Sequence, residues 1–142
     1  MKKYTQEEFD ALPFVEGFRD CPTGDYSLVQ SFGDRCSFGP ECSFGPDSKF
    51  GYGCIFGSEC TFGPECRFDY GCSFGSECGF GLESKFGDWC RFGQNSRFES
   101  ESKFGYGCMF ESECSFGDRC SFGPKCTRRR FVRNPCTLHR MC

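Results

Sequence analysis

Phenylalanine occupies every sixth position from Phe32 to Phe122, sixteen in succession without an omission. A period this strict means that one structural unit is copied along the chain, so the fold must be a stack of equivalent pieces. Two residues before each Phe stands a small side chain, Cys in most copies and Ser at 48, 84, 96 and 102, with Gln30 as the exception at the entrance. Gly follows the Phe in thirteen of the sixteen copies, and the next two positions favour Pro, Ser, Asp, Tyr and Glu. The unit therefore reads small-x-Phe-Gly-x-x. Residues two apart on a strand share a side, so the small residue and the Phe point inward and the residue between them faces water. The Gly-containing remainder is a corner.

A second period lies over the first. Tyr52-Gly53, Tyr70-Gly71 and Tyr106-Gly107 recur at multiples of eighteen residues, as do Lys49, Arg67, Lys85 and Lys103. Three hexads then make one coil of a triangular prism, with residues eighteen apart stacked at the sheet spacing of ~4.8 Å. The expected fold is all-β, a single-stranded parallel β-helix with 18 residues per coil. Residues 1–29 form an N-terminal cap with a short helix, 30–125 the hexapeptide-repeat β-helix, and 126–142 a basic C-terminal cap or tail. Thr5-Gln6-Glu7-Glu8 has capping-box spacing, with Phe9 and Leu12 following, which places a helix over 5–12.

The unit resembles that of the hexapeptide-repeat left-handed β-helix family, in which an inward aliphatic residue is followed four positions later by an inward small one. Phe38-Gly39-Pro40-Glu41-Cys42-Ser43 is similar to it, with Phe for the aliphatic residue and Cys for the small one. Left-handedness is implied by this resemblance. The small-x-Phe pattern also resembles pentapeptide-repeat proteins, but their period is five.

Many hexapeptide-repeat proteins are acyltransferases that use a His base on the coils. The only His here is His139, outside the repeats, and no long loop interrupts the array to shape a substrate pocket. The fifteen cysteines raise metal binding and disulfides, but their period is explained by packing, and in-register side chains of parallel strands do not point at each other. Most are read as reduced thiols acting as small hydrophobes, while Cys21, Cys136 and Cys142 have no place in the array. No catalytic residue, metal or cofactor is expected. Ice binding needs a regular Thr-type array, which the outward positions lack.

No apolar run reaches the length of a membrane span and the start lacks an export signal, so the chain is expected in the cytoplasm. Residues 30–125 hold fourteen Asp or Glu against nine Lys or Arg, a net of −5. The acids are ordered: Glu41, Glu59, Glu77 and Glu113 form one eighteen-residue ladder with Asn95 in its gap, and Asp47, Glu65, Glu83 and Glu101 form another. Such stripes keep a rod soluble, or they imitate the field of a nucleic-acid backbone. The imitation is of field rather than register, since ~4.8 Å does not match the phosphate rise of about 3.4 Å. Gyrase-inhibiting pentapeptide-repeat proteins look like such mimics, and small acidic phage proteins block CRISPR effectors. The expected function is that of a non-enzymatic phage or mobile-element inhibitor, whose partner is a nucleic-acid-binding protein or complex.

A secondary candidate is the face carrying Lys49, Arg67, Lys85 and Lys103 beside Tyr52, Tyr70 and Tyr106, a combination that suits single-stranded nucleic acid. On an acidic protein, direct nucleic-acid binding is not the first expectation. The Arg128–Arg130 run has the same ambiguity, and a self-assembling structural module, a homo-oligomer, is the competing class.

Overall fold

The computed structural model describes residues 1–128, and His139, Cys136, Cys142 and most of the Arg128–Arg130 run lie outside the described residues. Each hexad contributes a strand of two or three residues, such as Lys49–Phe50 or Cys36–Phe38, and the strands gather into three parallel faces. In chain order, face I stacks Phe38, Phe56, Phe74, Phe92 and Phe110; face II stacks Phe44, Phe62, Phe80, Phe98 and Phe116; and face III stacks Phe32, Phe50, Phe68, Phe86, Phe104 and Phe122. The pairing register is eighteen residues throughout these columns, giving a parallel β-helix of about six turns. Among the described residues no helix is long and apolar enough to cross a membrane.

The Phe rings fill the axis. Within a column they stack nearly parallel, as Phe50 on Phe68 at 4.8 Å and 2°. Between columns they meet edge to face, as Phe68 and Phe74 at 5.1 Å and 83°. A centroid separation of 4.8 Å exceeds ring contact distance, so the in-column stacks are offset, the geometry that the ring quadrupole favours.

The inward small residues form three columns that differ in chemistry. At the corner between faces III and I the column is all Cys: 36, 54, 72, 90, 108 and 126. Between I and II it reads Cys42, Cys60, Cys78, Ser96 and Cys114, and between II and III Ser48, Cys66, Ser84, Ser102 and Cys120. Every Ser hydroxyl donates to a carbonyl three residues back in its own coil, such as Ser84 to Gly81 at 2.9 Å. Most thiols reach to the coil before, as Cys72 Sγ to Gly51 O at 3.4 Å and Cys90 Sγ to Asp69 O at 3.6 Å, while Cys36, Cys42 and Cys66 also contact the carbonyl three residues back. Serine satisfies its hydroxyl locally, whereas the longer, less polar thiol can also span two coils.

Stacking reaches further toward the N-terminus than the Phe count. Phe18–Cys21 pairs in parallel with Cys36–Phe38, and Tyr26 lies in register with Phe44, so the first coil is built from residues within 1–29. Cys21 is buried opposite Phe38, and Val29, not Gln30, supplies the buried side chain at the entrance. The expected helix is present as α1, Gln6–Asp10, with Thr5 as N-cap and Glu8 closing the capping box. Phe9 caps the axis, edge-on to Phe32 at 4.9 Å. Arg19 fixes the helix by donating to the carbonyls of Phe9, Asp10 and Leu12 at 2.8–3.1 Å while its guanidinium lies 4.9 Å from the Phe9 ring.

Phe74 stacks on Phe56 and Phe92 and meets four further rings edge-on. Phe74→Ala is expected to cost about 3–5 kcal/mol in denaturant unfolding, and a loss under about 1 kcal/mol would place the ring outside the core.

Candidate functional site: two acidic rails on the corners of the prism

Each corner must turn the chain between faces within three residues, and it does so through one residue in the left-handed region. All sixteen corners from Arg35 to Lys125 show it, at φ between 55° and 72°. Glycine meets this demand at Gly53, Gly71 and Gly107, and Asn95 is the next easiest solution. The other corners use residues that the backbone disfavours. All eight acids of the two ladders, Glu41, Glu59, Glu77, Glu113, Asp47, Glu65, Glu83 and Glu101, are among them, at φ 59° to 66°.

The geometry groups these eight side chains. The first ladder runs along the corner between faces I and II, with the corner backbones tied coil to coil by Glu41, Glu59 and Glu77 N–H groups donating to Ser58, Ser76 and Gln94 carbonyls at 2.8–2.9 Å. The second runs along the corner between faces II and III, tied by the same bond from Asp47, Glu65, Glu83 and Glu101. Both ladders therefore edge one surface, face II. Its outward positions are Ser43, Thr61 and Gly79 between the rails, with Arg97 and Ser115 beyond. The result is a low floor of small side chains between two raised acidic edges.

The rails are not uniform. Asn95 separates Glu113 from the first, and Arg119 binds Glu101 at 3.1 Å on the second. Among the described residues the unbroken acid runs without an ion-pair partner are thus Glu41-Glu59-Glu77 and Asp47-Glu65-Glu83, side by side over the same coils. Repulsion within the first run is visible at Glu59, whose carboxyl is raised above the usual carboxylate range by contact with Glu77 and then Glu41.

Face III carries the secondary candidates. Lys49, Arg67, Lys85 and Lys103 stack in register along its middle, and among the described residues none lies within ion-pair distance of a carboxylate. A groove of about 670 Å³ runs between this row and the second rail, lined by Arg67, Lys85 and Lys103 on one side and by Asp47, Glu65, Glu83, Glu101 and the next rung of that corner, Arg119, on the other. The cations offset the second rail on its face III side. Over face II no cation stands between the rails until Arg97, so the negative field is strongest there. Tyr52, Tyr70 and Tyr106 lie on the third corner, with Tyr52 and Tyr70 stacked at 5.2 Å and 4°.

A family model for an RNA-binding, Nab2-type zinc finger matches residues 31–47, 49–69 and 113–129, together well under half of the chain. No curated protein and no solved structure matches the chain. The residues present do not fit a CCCH zinc centre. The matched segments contain no His. The three cysteines of the middle segment, Cys54, Cys60 and Cys66, are buried in three different columns, and each donates its thiol to a glycine carbonyl of the preceding coil. Among the described residues no group of three or more His, Cys, Asp or Glu is placed to hold a metal ion. The matched segments are stretches of the repeat, with Cys at regular spacing in Phe- and Gly-rich sequence.

The thirteen described cysteines are buried thiols. Burial pushes Cys66 up and Cys114 up to about 11. Slow modification follows, because the thiolate is the reactive form. In a variant with Cys136 and Cys142 changed to Ser, a thiol-disulfide reagent at pH 8 is expected to label the folded protein far more slowly than the denatured protein. Equal rates would mean accessible columns.

Glu59→Asn relieves both the left-handed backbone and the repulsion. Because Glu59 holds its proton more tightly folded than unfolded, its penalty is absent at low pH and appears as pH rises through the folded value. The variant is expected to melt at a higher temperature than the parent, by more at pH 7 than at pH 4; a gain independent of pH would leave the backbone as its only source.

Proposed function

We propose that the chain is a non-enzymatic binding protein whose acidic rails, set on either side of face II, occupy a basic groove of a nucleic-acid-handling protein or defence complex. The observation that carries this reading is the chemistry of the corners. The sharp turns admit glycine, as Gly53, Gly71 and Gly107 demonstrate, yet the two corners that flank face II hold acids at a backbone angle costly to any residue with a Cβ. Their mutual repulsion adds to that cost. Solubility alone would be met by acids at relaxed outward positions such as Ser43, Ser73 or Thr61.

A rigid β-helix holds its charges with little side-chain or backbone ordering left to do on binding. Two parallel lines of carboxylates across a shallow floor offer a basic groove the same kind of field as two phosphate backbones. An inhibitor encoded by a phage or mobile element, acting in the cytoplasm on a CRISPR effector, topoisomerase or nuclease, is the role this surface suits best. Such a protein needs no cofactor.

The test is the quadruple variant Glu59→Lys, Glu65→Lys, Glu77→Lys and Glu83→Lys, checked for native circular dichroism and then used beside the parent to capture proteins from bacterial lysate. The parent is expected to retain a nucleic-acid-handling protein that is displaced by added DNA and by salt, and the variant to retain none. Equal capture by the folded variant would overturn the acidic-rail reading. Recovery of the bait alone, as a salt-resistant oligomer, would establish the self-assembling module instead.

A further inference from the structure

The third corner carries an aromatic ladder with one rung missing. At eighteen-residue spacing it reads Tyr52, Tyr70, Asp88 and Tyr106. The corner backbones are tied in that order, with the Gly53, Gly71 and Trp89 N–H groups donating to the Tyr70, Asp88 and Tyr106 carbonyls at 2.8–3.1 Å. Tyr70 and Tyr106 are therefore two strand spacings apart, about 9.6 Å. A planar ring sandwiched between two others needs about 7 Å. The gap over Asp88 is thus wide enough to admit one flat ring.

Neighbouring groups shape this gap. Trp89, 58% exposed, leans toward the Tyr106 rung and meets that ring edge-on at 5.2 Å and 67°. It can do so because the next corner is Gly107, where a Cβ would lie 2.6 Å from the indole carbons. Tyr70 is 52% exposed and already stacked on Tyr52 on its other side, so it is braced as a wall. A groove of about 440 Å³ lies beside this corner on face III, lined by Lys49, Arg67, Lys85 and Asp69 over the Phe50–Phe86 strands. It is bounded by the row of cations that have no carboxylate partner among the described residues. Three carboxylates also stand at this edge, Asp34, Asp69 and Asp88, and each accepts the backbone N–H of a Tyr at 2.8–3.1 Å, which turns its charge into the corner. The second acidic rail lies along the opposite edge of face III and disfavours an anion there, pressing it toward the aromatic side.

We infer that the gap between Tyr70 and Tyr106, together with the Lys49-Arg67-Lys85-Lys103 row, is a binding site for single-stranded nucleic acid. One base stacks between the two tyrosines and successive phosphates follow the cations. Flexible Lys and Arg stems absorb the difference between strand spacing and phosphate spacing. Net charge alone does not make direct nucleic-acid binding the first expectation, but the two acidic rails stand on the other two corners, and the three carboxylates at this edge are tied to backbone N–H groups. The site is separate from face II, so its failure would leave the acidic-rail reading untouched.

The chain has a single tryptophan, Trp89, at the edge of the gap, which supplies an intrinsic reporter. Unstructured oligo(dT) and oligo(rU) of about 15 nucleotides are titrated at about 50 mM salt, following Trp89 fluorescence and the anisotropy of a labelled strand. Quenching of Trp89 with saturable binding is expected, and log K falls with log salt with a slope near −3, from four contacts at about 0.7 each. Tyr70→Ala and Tyr106→Ala each weaken binding about tenfold. Arg67→Glu with Lys85→Glu abolishes it, and Asp88→Asn strengthens it. A preference between the two oligonucleotides assigns the strand as DNA or RNA. Absence of binding to either strand up to about 100 µM would overturn the site, because non-specific strand binding is itself detectable in that range. So would binding that is indifferent to the tyrosine and cation changes, and equal quenching by a mononucleotide at the same concentration would reduce it to a site for a single base.

Discussion

The offset stacking of Phe rings at the strand spacing is the constraint on which this molecule rests. A ring repeated every 4.8 Å on each of three faces, locked by edge contacts at about 5.1 Å to the other two columns, leaves no room on the axis for anything larger than a thiol or hydroxyl. That exclusion dictates the Cys and Ser columns. It also dictates the corners, because a chain that must return a Phe to the axis every six residues has three residues in which to turn, and takes the left-handed conformation at one of them. Close coil contact follows as well: at Gly93 a Cβ would stand 2.5 Å from the backbone of Gly75.

The two periods make the prism legible in the sequence, and the capping box makes α1 legible. What the sequence concealed has physical reasons. Tyr26 occupies a Phe position in the first coil, but the weaker local pattern of Cys21, Val29 and Gln30 hides that coil's small-residue column. The backbone angle of the acidic corners is invisible because Glu is not a signal for left-handed conformation; only Asn95 and the three corner glycines hint at it. Both ladders were readable by counting, whereas their shared border with face II depends on which way successive corners face. The same count places Arg119 one rung beyond Glu101, so the ion pair that ends the second rail was within reach of the eighteen-residue period.

The cysteines illustrate how one spacing supports two readings. Segments rich in regularly placed Cys match a zinc-finger family model, and the same thiols here lie in separate columns with the Phe core between them. The distribution of Ser sharpens the point. It is absent from the column between faces III and I and most frequent in the one between faces II and III, where three of five positions carry it. An unbroken thiol column links each coil to its predecessor through S–H···O contacts along the corner that also carries the exposed aromatic residues.

The eighteen-residue register has a consequence for how such a protein can change over time. Because each coil contacts only those directly before and after it, duplication or loss of one coil by unequal recombination leaves every other contact in place. Each such event lengthens or shortens all three corners together by a single rung. Rod length is then a heritable, stepwise variable, and a lineage could match the reach of its charged edges to a new partner in one genetic event rather than through many point substitutions.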